Sequence, residues 1–312
     1  MAKQTHPLMR LVDEYLLHRG AAGFKLENDA LRLRSFARHA ALLGERRVRS
    51  STAVTWAALG PSRLARHNRL HTVIRFIRYI RADAPEHELP SGDHFAGKYT
   101  RRTPHIFFRS EIGSLMQAAG QLGPAGSLRP ATFKTFIGLL AATGLRTSEA
   151  RRLLLDDVLT KERALVVRQS KFGKSRILPV HPSTLAALDA YIKQRRRAAP
   201  GGQHLFVTLT GAQLPKQTVI WTFARLRRHL RATGSGTGHL PRLLDLRHTF
   251  AVRALEASSR EGRDRVGRYV QAISQYLGHS NISHTYWYFD ATPHLMKDMA
   301  DAARAVVEKA GR

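Results

Sequence analysis

At 312 residues the chain is long enough for two domains with a core each, and its 51 Lys and Arg against 23 Asp and Glu give a formal charge of +28 and a pI near 11.4. Self-repulsion of that size has to be offset by a polyanionic partner or a strong core, which makes nucleic acid the leading partner. The absence of cysteine excludes disulfides and thiolate metal sites, while the lack of an 18-residue apolar run, a signal-peptide or lipidation motif, or a paired-histidine metal motif argues against membrane, export and metal; the expected place is the cytoplasm, on the nucleoid.

In chain order, residues 1–84 read as a small helical DNA-clamp domain. Leu8, Leu11, Val12, Tyr15 and Leu16 fall at helical spacing, and Leu31, Leu33, Phe36 and Ala37 form a second stripe after a break at Gly20 to Gly23. A third helix, from about Ser62 to Ala82, buries Leu70, Val73, Ile77 and Ile80. Its other side carries Asn68, His71, Arg75 and Arg78, either a solvated face or a row of phosphate contacts. The overall charge favours DNA, so His71, Arg75 and Arg78 are DNA-binding candidates. Residues 85–103, with Pro85, Pro90 and Gly92, have turn signals and no periodicity, and are read as a linker.

From residue 104 to 312 the pattern predicts a second domain, and the whole chain a mainly α fold with a small antiparallel β-sheet. Ser110 is placed to cap a helix with Glu111 in its first turn. Phe133, Phe136, Ile137 and Leu140 form the stripe of a helix that ends at Gly144. Arg146 follows that turn, and Glu149 is spaced to hold it as a new helix begins. Leu165-Val166-Val167 and Arg176 to Val180 read as a β-hairpin, with Lys171 at the entry of its turn and Lys174, a further DNA-contact candidate, at the tip. A helix from Ser183 to about Arg197 with a basic Arg195-Arg196-Arg197 end, a strand at 205–207, a helix from Gln217 to Leu230 and a helix starting near Leu243 with Asp245 in its first turn follow. Arg247 and His248 lie on that last helix. Gly278-His279 reads as a helix end, and Tyr286-Trp287-Tyr288 starts another short element. A final helix is expected at about 294–310.

The segments ATGLRTSE (142–149), SKFGKSR (170–176), LLDLRHTFA (243–251) and YLGHSNISHTYWY (276–288), in this order, resemble the active-site boxes of the tyrosine recombinase (phage integrase) family, of the mobile-element type. The resemblance implies catalytic roles for Arg146, Lys171, Arg247, His279 and Tyr288, with Glu149 in support. It implies a 3′-phosphotyrosyl link to Tyr288, Lys171 protonating the departing 5′ oxygen, and no cofactor, metal or ATP. Phenol attack on a phosphodiester builds negative charge on the non-bridging oxygens, which guanidinium and imidazole donors can stabilise. The expected partner is double-stranded DNA, bound by a homo-tetramer or by a hetero-assembly with related recombinases. Leu295, Met299, Ala302 and Val306 form an apolar stripe in the tail, which packs either on a neighbouring protomer or back on its own domain.

One position departs from the family pattern. Three residues before the second arginine, where a histidine is usual, stands Leu244; His248 matches a packing position instead. A phenol has a pKa of about 10 and needs a proton acceptor, which leucine cannot be. Slow or conditional cleavage is the expectation. A DNA-binding accessory of the same fold and a topoisomerase-like strand-passing enzyme are the rival readings.

Overall fold

The computed structural model describes residues 6–24, 26–97, 103–168, 175–231, 240–259 and 263–278. The chain divides into two compact units, Met1–Arg101 and Arg102–Arg312.

The first unit is built from helices α1 (Pro7–Ala21), α2 (Glu27–Leu42), α3 (Ser50–Ala58) and α4 (Arg63–Ile80). Pro7 opens α1, where a missing N–H costs nothing. The Ser62 hydroxyl accepts the Ala65 N–H to start α4. Leu8, Val12, Tyr15, Leu33, Phe36, Trp56, Leu70, Val73 and Ile77 close the core, with Phe36 and Trp56 meeting edge to face at 5.5 Å. Leu31, expected in the α2 stripe, is 69 % exposed; the buried face runs through Leu33, Phe36, Ala37 and Ala40 instead. The short helix α3 carries no long apolar run and was invisible to periodicity. Residues 85–97, read as linker, hold to this unit: the Glu88 carboxylate accepts the Ser50 N–H at 2.8 Å, and His87 accepts that of Val48 at 3.0 Å.

The second unit surrounds α6 (Arg129–Thr143) with α5 (Arg109–Gly120), α8 (Pro182–Ala198) and α11 (Leu243–Ser259), and α9 (Lys216–Leu226) lies against α5; the shorter helices are α7 (Thr147–Arg152) and α10 (Arg228–Arg231). A three-stranded antiparallel sheet, β1 (Val158–Leu159), β2 (Ala164–Val167) and β3 (Arg176–Pro179), pairs Leu165 with Leu178 and Val167 with Arg176. Helix α12 (Arg263–Leu277) packs Val270, Ile273 and Leu277 on Ala251, Val252 and Leu255 of α11. The interior centres on Phe136, Phe206 and Tyr191, whose rings lie 5.0 and 5.3 Å apart. No described helix is long and apolar enough to cross a membrane.

Three local expectations differ from this structure. Ser110 does not cap α5: the Glu111 carboxylate accepts the Phe108 N–H at 2.7 Å and is itself held by His105 at 3.0 Å. Residues 205–207 form no strand, only single bridges flanking them, Leu154 to His204 and Val207 to Gln213. Arg195, read as part of a basic helix end, does not face solvent. It is fully buried, and donates to the carbonyls of Ala199, Gly201, Gly202 and His204 where the chain turns back after α8.

An arginine platform at the end of helix α12

Helix α6 ends at Gly144, whose φ of +60° is the left-handed conformation that glycine adopts without strain. Space demands glycine there as well, since a Cβ would lie 2.6 Å from Phe250 and 3.0 Å from Leu277. The turn delivers Arg146 to the start of α7. There the Glu149 carboxylate accepts the Arg146 backbone N–H and its Nη1–H, both at 2.9 Å.

Arg247 reaches the same place from the second turn of α11. It is 3 % exposed and spans two segments, donating from Nη1 to the Gly144 carbonyl at 2.8 Å and from Nη2 to the Leu277 carbonyl at 2.6 Å. Arg146 also donates to Leu277, at 3.4 Å, and to Gly278 at 2.9 Å. The two guanidiniums named from sequence are therefore brought together on one carbonyl oxygen, across 103 residues of chain between Gly144 and Arg247. Their mutual repulsion is opposed by the negative end of the α12 dipole, where the last carbonyls have no helical partner.

Sequence reasoning missed a third guanidinium. Arg176, at the start of β3, makes a two-pronged pair with Glu149 at 3.1 Å on each arm and donates its Nε–H to the Tyr276 carbonyl at 2.8 Å. Three consecutive carbonyls, those of Tyr276, Leu277 and Gly278, thus receive arginine donors. A signal was present in the alternation of β3: Leu178 is buried and Ile177 exposed, so Arg176 lies on the inward face and requires an acidic partner. Glu149 is that partner. Burial would raise its carboxyl, but the hydrogen bonds and charges of Arg176, then Arg146, outweigh burial and hold it below the usual carboxylate range.

The helix end closes on Gly278, with φ of +66°. A Cβ there would come within 2.9 Å of Arg176 Nη1, so the arginines pack directly on the backbone that leads into residue 279. His279, Tyr288, Lys171, Lys174 and the tail at 294–310 lie outside the described residues. A phenol that is described, Tyr276, is committed to packing: it stacks on Phe250 at 5.4 Å, and burial pushes it up to about 12 in spite of Arg176. It is a poor rival nucleophile.

Beside Arg146 opens a cavity of about 540 Å³ between α7, α9 and the start of α11. Arg151, Lys216, Arg227 and Arg242 share its wall with Arg146, and among the described residues no carboxylate does. Leu244 lines it too, 47 % exposed, so the position where a histidine was expected faces open space beside the first arginine. His248, by contrast, is buried in the core side of α11.

In the first unit the candidates separate. Arg78 is exposed on α4. Arg75 is paired with Asp29 at 3.0 Å, leaving its guanidinium half exposed. His71 is half-buried, with its ring tilted 38° against that of His67 at a centroid distance of 4.0 Å and the turn at Gly92 lying against it.

Residues 107–294 match the phage integrase family. The chain is 34 % identical to a Sinorhizobium fredii protein named as an integrase/recombinase, y4rB, over 92 % of this chain and 94 % of that one. It is 31 % identical to the tyrosine recombinase XerD of Mycobacterium tuberculosis over 64 % of this chain and 61 % of the relative. Among solved structures, the Tn1549 transposon integrase bound to transposon right end DNA shares the fold, with a TM-score of 0.66 at 21 % identity, covering 98 % of this chain and all of the other.

Proposed function

The chain belongs to the phage integrase family, and from that membership and the arginine platform we propose that it recombines duplex DNA at specific sites through a 3′-phosphotyrosyl link to Tyr288. The observation that carries this reading is the meeting of Arg146 and Arg247 on the Leu277 carbonyl, two residues before His279. An arginine has five N–H donors. Arg146 spends three on Glu149, Leu277 and Gly278, which leaves its Nε–H and one Nη2–H for the oxygens of a phosphate. Three guanidiniums and one carboxylate gathered at this helix end leave a surplus of two positive charges. That surplus matches the two negative charges on phosphorus once a tyrosinate has added to a phosphodiester.

In the reaction so read, Tyr288 Oη bonds to phosphorus, the P–O5′ bond breaks, and Lys171 protonates O5′. Arg146, Arg247 and His279 hold the non-bridging oxygens, and Arg78 with the exposed arm of Arg75 contacts the DNA backbone. The bond energy is retained in the phosphotyrosine, so rejoining needs no ATP. Exchange between two sites calls for a tetramer, for which the apolar stripe from Leu295 to Val306 supplies a contact between protomers. The test is incubation with nicked suicide DNA carrying the element ends: a covalent adduct is expected, mapping by peptide mass to Tyr288. An adduct at another residue, or none on a bound site, overturns the reading.

A second reading, a DNA-binding accessory with weak cleavage, is favoured by Leu244 alone. With leucine in place of histidine at that wall of the cavity, phenol deprotonation falls to His279 or to a substrate oxygen. Leu244→His puts an imidazole into the open space beside Arg146, and adduct formation on the same DNA is expected to rise by about 10-fold or more, toward the range of general-base catalysis. An unchanged single-turnover rate would show that the leucine is not what limits cleavage.

A further inference from the structure

Helix α7, strand β3 and the last turn of α12 are joined at one side chain. Arg176 is 14 % exposed and Glu149 1 %, and every nitrogen of the guanidinium is engaged: Nη1 and Nη2 on Glu149, Nε on the Tyr276 carbonyl. Arg176 is also the end residue of the hairpin ladder, paired with Val167, on the side from which the chain segment with Lys171 connects the two strands. The ladder itself is four pairs long, and Ile177 beside it is 67 % exposed. Leu165, Val167 and Leu178 seat the strands in the core. At the open end of the ladder, the three bonds of a planar, two-pronged guanidinium bind the hairpin to two other elements at once.

We propose that Arg176 is a positioning residue that registers the Lys171 hairpin on Arg146, so that the ammonium protonating O5′ meets the phosphate that Arg146 holds. Glu149 is the shared part, bonded to Arg146 on one side and to Arg176 on the other. The inference rests on the reading of Lys171 as the general acid. In the step concerned, Tyr288 Oη bonds to phosphorus and the P–O5′ bond breaks, its electron pair passing to O5′. Lys171 supplies the proton that O5′ needs, and the phenolic proton goes to an acceptor in the site.

Sulfur at the bridging 5′ position separates this role from mere support of the fold. A thiol has a pKa of about 8.5 and departs as thiolate without a proton, whereas an alkoxide, like hydroxide from water at about 15.7, needs one. The experiment compares nicked suicide substrates with 5′-bridging oxygen or sulfur, using the full chain and its Lys171→Ala, Arg176→Met and Arg176→Lys variants. On oxygen, Arg176→Met is expected to slow adduct formation roughly 100-fold, the scale of lost general-acid catalysis, with duplex affinity within about 3-fold because one phosphate contact among many is disturbed. On sulfur, both Lys171→Ala and Arg176→Met are expected to return to within about 5-fold of the parent. Arg176→Lys, which keeps the charge but not the fork, falls between on oxygen and recovers on sulfur; it carries the comparison if Arg176→Met does not fold.

Recovery of Lys171→Ala without recovery of Arg176→Met overturns the inference and leaves the general acid standing. Failure of Lys171→Ala to recover overturns both.

Discussion

Arg247→Lys is expected to slow covalent adduct formation by about 1,000-fold while changing affinity for the duplex only a few-fold. Removing a single preorganised donor to a developing oxyanion costs about 100- to 1,000-fold, and lysine removes more than one. The guanidinium of Arg247 holds its orientation by bonding to Gly144 at one end and Leu277 at the other. An ammonium has no plane and cannot span those two carbonyls while facing a phosphate. Binding changes little because affinity comes from many backbone contacts spread over a chain of charge +28. Single-turnover adduct accumulation and a titration of uncleaved duplex measure the two effects separately. A rate within 10-fold of the parent would place the scissile phosphate elsewhere. Arg146→Lys combined with Arg247→Lys should cost less than the product of the single losses, because both side chains share the Leu277 carbonyl and act on one charge.

How far this site was legible in the sequence depends on which atoms build it. Arg146, Glu149 and Arg247 could be named because glycine turns, helix starts and box spacing are side-chain patterns. The surface they meet on was not legible, since it is made of backbone: the carbonyls of Tyr276, Leu277 and Gly278 have no signature in residue type. The hairpin was read correctly as two antiparallel strands, yet Arg176 was taken as an ordinary strand residue. Its partner lies 27 residues away on a helix, and only the inward side of β3 betrays the need for one. Arg195 shows the same limit at larger scale. A run of three arginines in the last turn of a helix reads only as a basic end until the chain is seen to fold back and present four carbonyls to the first of them. Residues read as linker return to lie against the His71 ring, which the position of His71 on the polar side of α4 does not reveal.

Glu149→Leu is expected to lower stability by about 3–5 kcal/mol, the scale for breaking a buried ion pair by removing one partner. The carboxylate is 1 % exposed and is the counter-ion for both Arg146 and Arg176. Without it, two guanidiniums face each other across an apolar side chain, and the Arg146 backbone N–H loses its acceptor as well. For a unit of about 200 residues each kcal/mol moves the midpoint by roughly 2–4 °C, so a fall on the order of 10 °C is expected by circular dichroism. Glu149→Gln keeps an acceptor oxygen but turns an amide toward one arginine, and should fall less. The pH dependence identifies the charge as the cause. The folded-state carboxyl lies below its ordinary value of 4.5, so its contribution is complete above that value and is lost as pH falls through the depressed folded value. The parent should therefore exceed Glu149→Gln by its full margin at neutral pH, and the two melting curves should converge as the solution is acidified. A gap that stayed constant from neutral pH down to about 3 would mean that packing, and not the ionised carboxylate, holds the three arginines at the end of α12.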